Sequence, residues 1–227
     1  MDLRAVEQQL SYTFTDEQWL IFALTHPSLK KHKKAPLQYE RLEYLGDAVL
    51  ELVVSRELMG LFTKADEGQL TKLRSSIVSR KHLGDLCLDL KWDQQIAMDA
   101  HVEAQGGRAI HSILANTFES VIGAVMMDSN YNAASKVSLM LLADSLKNVA
   151  NICAETNPKG ALLELLQSIV AIHPIYRVDD ISQAGRPYYR ATVSWQGRDL
   201  AVGEGESKRS AEKQAAQLAL DARAWER

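Results

Sequence analysis

Long apolar runs are missing from this 227-residue sequence. None approaches the roughly 18 consecutive apolar residues that would cross a bilayer. The opening Met1-Asp2-Leu3-Arg4-Ala5-Val6-Glu7 lacks the basic flank and apolar stretch of a signal peptide. A cytoplasmic location and no membrane partner are therefore expected. Cysteine is scarce as well: Cys87 and Cys153 lie far apart without metal-ligand spacing, which excludes a disulfide framework or zinc site on sequence grounds and leaves both as packing residues. An excess of basic charge is also absent, since 26 Lys and Arg against 29 Asp and Glu give a formal net charge of -3. That total counts against a nucleic-acid binder, unless clustered basic and acidic residues create two opposite local fields that cancel in the sum. No internal repeat or low-complexity tract is visible. What is present is 46% hydrophobic and 24% charged residues, the composition of a soluble globular chain long enough for one large or two ordinary domains.

From Val6 to Asn148 apolar residues recur mainly at helical spacing, so residues 1–150 are expected to form an all-helical domain. Its breaks are short: the basic loop Lys30-Lys31-His32-Lys33-Lys34-Ala35-Pro36, a turn from Thr63 to Gly68, and Gly106-Gly107 before a helix beginning near Ala109. Asn151, Thr156, Asn157, Pro158 and Gly160 supply turn formers and a helix stop, which suits a linker over 151–158. The texture then changes. Leu162 to Val170 reads as helix, Ile175 to Val178, Tyr188 to Trp195 and Arg198 to Gly203 as strands, and Ser207 to Ala222 as a long alanine-rich helix. Residues 159–227 are thus expected to be a small α+β domain of order α-β-β-β-α.

The most informative stretch is Glu40-Arg41-Leu42-Glu43-Tyr44-Leu45-Gly46-Asp47-Ala48-Val49-Leu50. Glu40, Glu43 and Asp47 stand three and then four residues apart, stacking three carboxylates on one helix face. Leu42, Leu45, Ala48, Val49, Leu50, Leu52, Val53 and Val54 make the rest of the helix apolar, the pattern of a buried helix. A second apolar helix carries Asn116 and Glu119 three apart. Clustered buried carboxylates require basic partners or a divalent cation, and oxygen ligands on rigid helices select a hard ion such as Mg²⁺. For Glu40 and Glu43 a solvated face paired with Arg41 or lysines stays open. Asp47, in the least polar part of the helix, fits that reading poorly.

The same residues resemble the signature of the ribonuclease III family. Ala23-Leu24-Thr25-His26-Pro27-Ser28, Asp66-Glu67-Gly68-Gln69-Leu70 and Ser112-Ile113-Leu114-Ala115-Asn116-Thr117-Phe118-Glu119 with Ile122-Gly123-Ala124 resemble its flanks and second acidic helix. The resemblance covers essentially the whole chain and implies Mg²⁺-dependent hydrolysis of double-stranded RNA, with Mn²⁺ as a substitute. It implies a metal site from Glu43, Asp47 and Glu119, with Asn116 at the position of a further ligand and Asp47 and Glu119 as catalytic residues. Glu40 and Glu67 match supporting acidic positions. Tyr44 matches the aromatic residue that packs into the partner of a homodimer. One departure stands out: the family usually has aspartate where this chain has Asn116. An amide keeps one acceptor oxygen but loses a charge, weakening Mg²⁺ binding. A tolerated natural variant, a protein evolved away from cleavage and a deliberate substitution remain as readings; the other acidic positions, all intact, favour the first.

In the second domain Ser207 is placed to cap a helix whose first turn carries Lys208 and Arg209, a positive end suited to phosphate. With the α-β-β-β-α order this resembles a double-stranded RNA-binding domain, whose second helix spans the major groove while the first helix and a strand loop reach the flanking minor grooves. Pro158-Lys159-Gly160 and Leu162-Leu163-Glu164-Leu165-Leu166-Gln167 resemble its opening, with Glu164 and Gln167 as ribose contacts. The strand loop departs from the usual Gly-Pro-x-His: here it reads Gly185-Arg186-Pro187-Tyr188, with Arg186 or Tyr188 as the substitute contact. The rival from another class is a duplex RNA binder on a nuclease fold disabled by Asn116. A hydrolase of small phosphates leaves the second domain without a task.

Overall fold

The computed structural model describes residues 1–29, 35–149, 152, 157–182 and 186–226. The basic loop at Lys30 to Lys34, Cys153 and Gly185 lie outside the described residues, as does the expected linker apart from Ile152, Asn157 and Pro158. The chain divides into two compact units, Met1–Val149 and Ala150–Arg227.

The first unit contains α1 (Leu3–Leu10), α2 (Gln18–Ala23), α3 (Ala35–Leu61), α4 (Glu67–Ile77), α5 (Arg80–Asp89), α6 (Ala100–Ala104), α7 (His111–Asp128), α8 (Tyr131–Leu141) and α9 (Ala143–Lys147). A helix apolar on nearly every side must be wrapped by others, and α7 is that helix: Leu114, Phe118, Val121, Ile122 and Val125 are fully buried, with α2, α3, α5 and α8 packed around it. Its last turn is anchored through Asp128, which accepts hydrogen bonds from the Tyr12 hydroxyl at 2.6 Å and from the Thr15 and Asp16 backbone N–H groups at 2.9 Å each. Cys87 is fully buried, and burial pushes its thiol up to about 12, consistent with a packing role.

Three local expectations are corrected. The turn ends before Glu67, because Asp66 and Gln69 form a reciprocal capping box that starts α4 there. The helix α3 is not buried all round: Leu37, Tyr44, Leu52 and Met59 are 59%, 81%, 56% and 64% exposed. Their spacing of seven or eight residues places them on one stripe, opposite Leu42, Val49, Val53 and Val54 in the core. Asp47 is exposed, since the part of the helix it occupies faces a cavity rather than the core.

The second unit is α10 (Pro158–Ile169), β1 (Ile175–Asp180), β2 (Tyr189–Trp195), β3 (Arg198–Gly205) and α11 (Lys208–Asp221). Pro158 opens α10 instead of stopping a helix: the Asn157 side chain accepts from Gly160 N–H, and proline at the first helical position loses no hydrogen bond. The antiparallel sheet has the order β1-β2-β3. Gln196 and Gly197, with φ of 51° and 79°, form the two-residue β2–β3 turn, whose paired positive φ values match the twist of the strands. Ala191, Val193 and Trp195 of β2 meet Leu162 and Leu166 of α10 and Ala211, Ala215 and Ala219 of α11 in a separate core. Alanines are required on α11 because the backbone comes close: a Cβ on Gly203 of β3 would strike the Ala215 N–H and Ala211 carbonyl.

Candidate active site

The two acidic helices meet at a pair of glycines. A Cβ on Gly46 of α3 would collide with the Glu119 carbonyl, and one on Gly123 of α7 would collide with that of Leu42. Only hydrogens separate the two backbones there. A buried hydrogen-bond set fixes the same crossing: the Ser120 hydroxyl donates to the Tyr39 carbonyl at 2.9 Å, the hydroxyls of Tyr39 and Thr117 are 3.0 Å apart, and the Thr117 hydroxyl donates to the Ile113 carbonyl at 2.8 Å. Tyr39 and Ser120 are next in sequence to Glu40 and Glu119, and Thr117 is next to Asn116.

The crossing brings Glu40, Glu43, Tyr44 and Asp47 of α3 together with Asn116 and Glu119 of α7 around one cavity of about 640 Å³, completed by Val78 and Arg80. Glu43, Asn116 and Glu119 are half-buried, while Glu40 and Asp47 are exposed. Burial, then repulsion from Asp47 and Glu43, pushes the Glu119 carboxyl up to about 8, with Arg80 opposing. Burial and then the charge of Glu40 push Glu43 above the usual carboxylate range; a hydrogen bond from the Asn116 amide and the charge of Arg80 pull it back. Asn116, an amide where a carboxylate would add to the repulsion, brings no charge to the cluster.

Glu67 does not line this cavity; it lies exposed in the first turn of α4. Arg80 was missed by sequence reasoning. It lies on a third element, α5, and the only local signal is Ser79, whose hydroxyl accepts from His82 N–H at 3.2 Å and caps the helix.

The metal-ligating atoms around the cavity are all oxygens, and two of the carboxyls, Glu43 and Glu119, hold their protons tightly, first through burial and then through the negative charges beside them. Such a set fits a hard divalent cation. Among the described residues no three His, Cys, Asp or Glu side chains stand close enough together to hold a metal ion by themselves. The open cavity instead suits an ion that keeps several waters.

In the second unit Ser207 caps α11, accepting from Ser210 N–H at 3.1 Å, and Lys208 and Arg209 stand exposed in its first turn. Lys208 Nζ lies 5.9 Å from the centre of the Tyr189 ring. Arg209 shares a groove with Lys159 and Lys213, where the starts of α10 and α11 meet. Lys159 and Lys213 were not singled out from the sequence; the recurrence of Arg209 and Lys213 at a spacing of four was the available signal. Glu164 and Gln167 are exposed one turn apart on α10, outside that groove, and Gln167 Nε2 lies 3.0 Å from His173 Nε2. Arg186 is exposed, and the Ser182 hydroxyl accepts from Tyr188 N–H at 2.9 Å.

Comparison with known proteins matches each of the two units. Residues 16–146 match the Ribonuclease-III-like family and residues 158–222 match the double-stranded RNA binding motif. Ribonuclease 3 of Sulfurovum sp. (strain NBC37-1) is 35% identical over 224 residues, covering 97% of this chain and 98% of the relative. Ribonuclease 3 of Magnetococcus marinus is 37% identical, covering 96% of this chain and 92% of the relative. Among solved structures, the nuclease domain of ribonuclease III from Campylobacter jejuni, studied for structural flexibility in the region involved in dimer formation, is 38% identical with a TM-score of 0.59; the match covers 63% of this chain and 97% of that one. With an all-helical acidic unit and an α-β-β-β-α unit each matched in turn, the chain belongs to the ribonuclease III family, as an endoribonuclease domain followed by a double-stranded RNA-binding domain.

Proposed function

We propose that the protein hydrolyses phosphodiester bonds in double-stranded RNA with Mg²⁺, or Mn²⁺ in its place, leaving 5′-phosphate and 3′-hydroxyl ends. The observation that carries this reading is the single cavity shared by Glu43, Asp47, Asn116 and Glu119. Glu43, Asp47 and Glu119 would hold the ion by carboxylate oxygens and Asn116 would assist by its amide oxygen or through Glu43, while Glu40 would add charge at the rim. The bound ion supplies an acidified water and offsets charge on the phosphate and departing 3′ oxygen. The protein's part is to hold these groups at fixed spacing before the substrate arrives, which the glycine crossing supports. Water adds at phosphorus and the bond to the 3′ oxygen breaks. The remaining acidic position, Glu67, supports the reaction from outside the cavity by contact with RNA.

Lys208 and Arg209 contact phosphates across the major groove, with Glu164, Gln167 and Arg186 reaching the minor grooves. The exposed stripe of Leu37, Tyr44, Leu52 and Met59 supports a homodimer through the nuclease domain, with two cavities acting on the two strands of one duplex. In the cytoplasm such an activity serves ribosomal RNA processing and messenger RNA maturation and decay.

Cleavage of a labelled duplex in Mg²⁺ and in Mn²⁺ tests the reading, with Glu119→Ala as the inactive control. The unaltered chain is expected to cut. Asn116→Asp is expected to lower the half-saturating Mg²⁺ concentration by about tenfold, as it adds a charge to the ligand set. Binding without cleavage, with activity appearing only in Asn116→Asp, would establish instead a duplex binder with a disabled nuclease site. That second reading draws on the uncharged amide of Asn116 among the cavity's carboxylates.

A further inference from the structure

We propose that Arg80 contacts phosphate in the active-site cavity, its guanidinium binding a non-bridging oxygen of the RNA backbone beside the scissile bond. The inference rests on the nuclease reading above. A duplex backbone is polyanionic, yet the cavity it must enter presents the carboxylates of Glu40, Glu43, Asp47 and Glu119. Among the described residues lining that cavity, Arg80 is the one basic side chain.

Three observations distinguish it from an ordinary surface arginine. It is exposed at the first position of α5, fixed there by the Ser79 cap. It lines the same cavity as Glu43 and Glu119, so it stands close to the reacting region. Among the described residues its guanidinium makes no ion pair or side-chain hydrogen bond. The next residue along the chain, Lys81, is by contrast bound to Asp85 at 2.7 Å. A planar group with five donors, left uncommitted at the mouth of an acidic cavity, matches a phosphate's paired oxygens in a way that a lysine's point charge does not.

The bland role for Arg80 is counter-charge to the carboxylates, and it predicts different behaviour. As counter-charge alone, Arg80→Gln tightens divalent binding and leaves RNA binding untouched. As a phosphate contact, it lowers the number of counterions released on binding.

The test compares the full chain with Arg80→Gln and Arg80→Lys. Duplex binding is titrated against KCl in Ca²⁺, which takes the same oxygen ligands, and single-turnover cleavage is measured at saturating RNA and Mg²⁺. Arg80→Gln is expected to reduce the steepness of log K against log salt by roughly one. Its cleavage rate is expected to fall on the order of 10- to 100-fold. Arg80→Lys is expected to restore the slope and only part of the rate. An unchanged slope overturns the proposal whatever the rate does, and an accompanying drop in half-saturating Mg²⁺ assigns Arg80 to counter-charge. Absence of cleavage by the unaltered chain in either metal would overturn the nuclease reading instead, and the salt slope would still decide the case for Arg80.

Discussion

Glu119 is half-buried beside two further carboxylates, and its carboxyl rises from the usual 4.5 to about 8, first through burial and then through Asp47 and Glu43. The folded protein therefore holds this proton more tightly than the unfolded chain does. Between about pH 4.5 and pH 8 folding takes up a proton, so stability without divalent ions falls as pH rises through that window. Replacing the group by its neutral isostere removes the penalty. In EDTA at pH 8, Glu119→Gln is expected to be more stable than the parent by about 1–3 kcal/mol, allowing for water in the cavity, and equally stable at pH 4. Thermal unfolding at the two pH values checks this; parallel pH profiles for the two proteins would contradict it. A substitution that abolishes cleavage should thus strengthen the fold, as expected where charge is concentrated for binding rather than for packing.

The pairing of α3 with α7 is set at Gly46 and Gly123, where a methyl group has nowhere to go but into the opposing main chain. Gly46→Ala is expected to push the helices apart, costing about 1–3 kcal/mol or more and removing cleavage. Gly60→Ala, on the same helix with nothing within 4 Å of the added carbon, is expected to be neutral or to stabilise by up to about 1 kcal/mol. Paired urea melts and cleavage assays would show the opposite signs; equal effects would mean that the crossing is not a close contact. The acidic helices were legible because an apolar surround and carboxylates at three- and four-residue spacing are local properties. The Ser207 cap and the three strands were legible for the same reason. Boundaries were less so. Proline serves equally after a helix and at its first position, so Pro158 did not reveal which role it had. The exposure of Asp47 and of the Tyr44 stripe depends on which neighbours α3 lacks. Arg80 joins the cavity from a third helix with no shared pattern, and only the tertiary fold reveals it.

The molecule as a whole has two cores with no buried residue in common, one around α7 and one between the three-stranded sheet and its two helices. No described helix is long and apolar enough to cross a membrane. The largest unpartnered apolar feature on the nuclease unit's long helix is the Leu37, Tyr44, Leu52 and Met59 stripe. Leu52→Glu leaves the buried face of α3 intact, so helical content and the unfolding midpoint are expected to stay near the parent's, while a charge in an apolar interface separates subunits. Sedimentation equilibrium is expected to report a dimer for the parent and a monomer for the variant. A parent that sediments as a monomer, or a variant that remains dimeric, would remove the stripe from that role.

The glycine crossing has one more consequence. Because the gap between the two acidic helices is closed by main chain, the places from which Glu43, Asp47, Asn116 and Glu119 reach the cavity are inherited from the backbone. The site then behaves like a socket with interchangeable pins. Asn116→Asp is therefore expected to leave the fold unchanged, with a thermal unfolding midpoint near the parent's. The parts that allow no exchange are the two residues that carry no side chain at all.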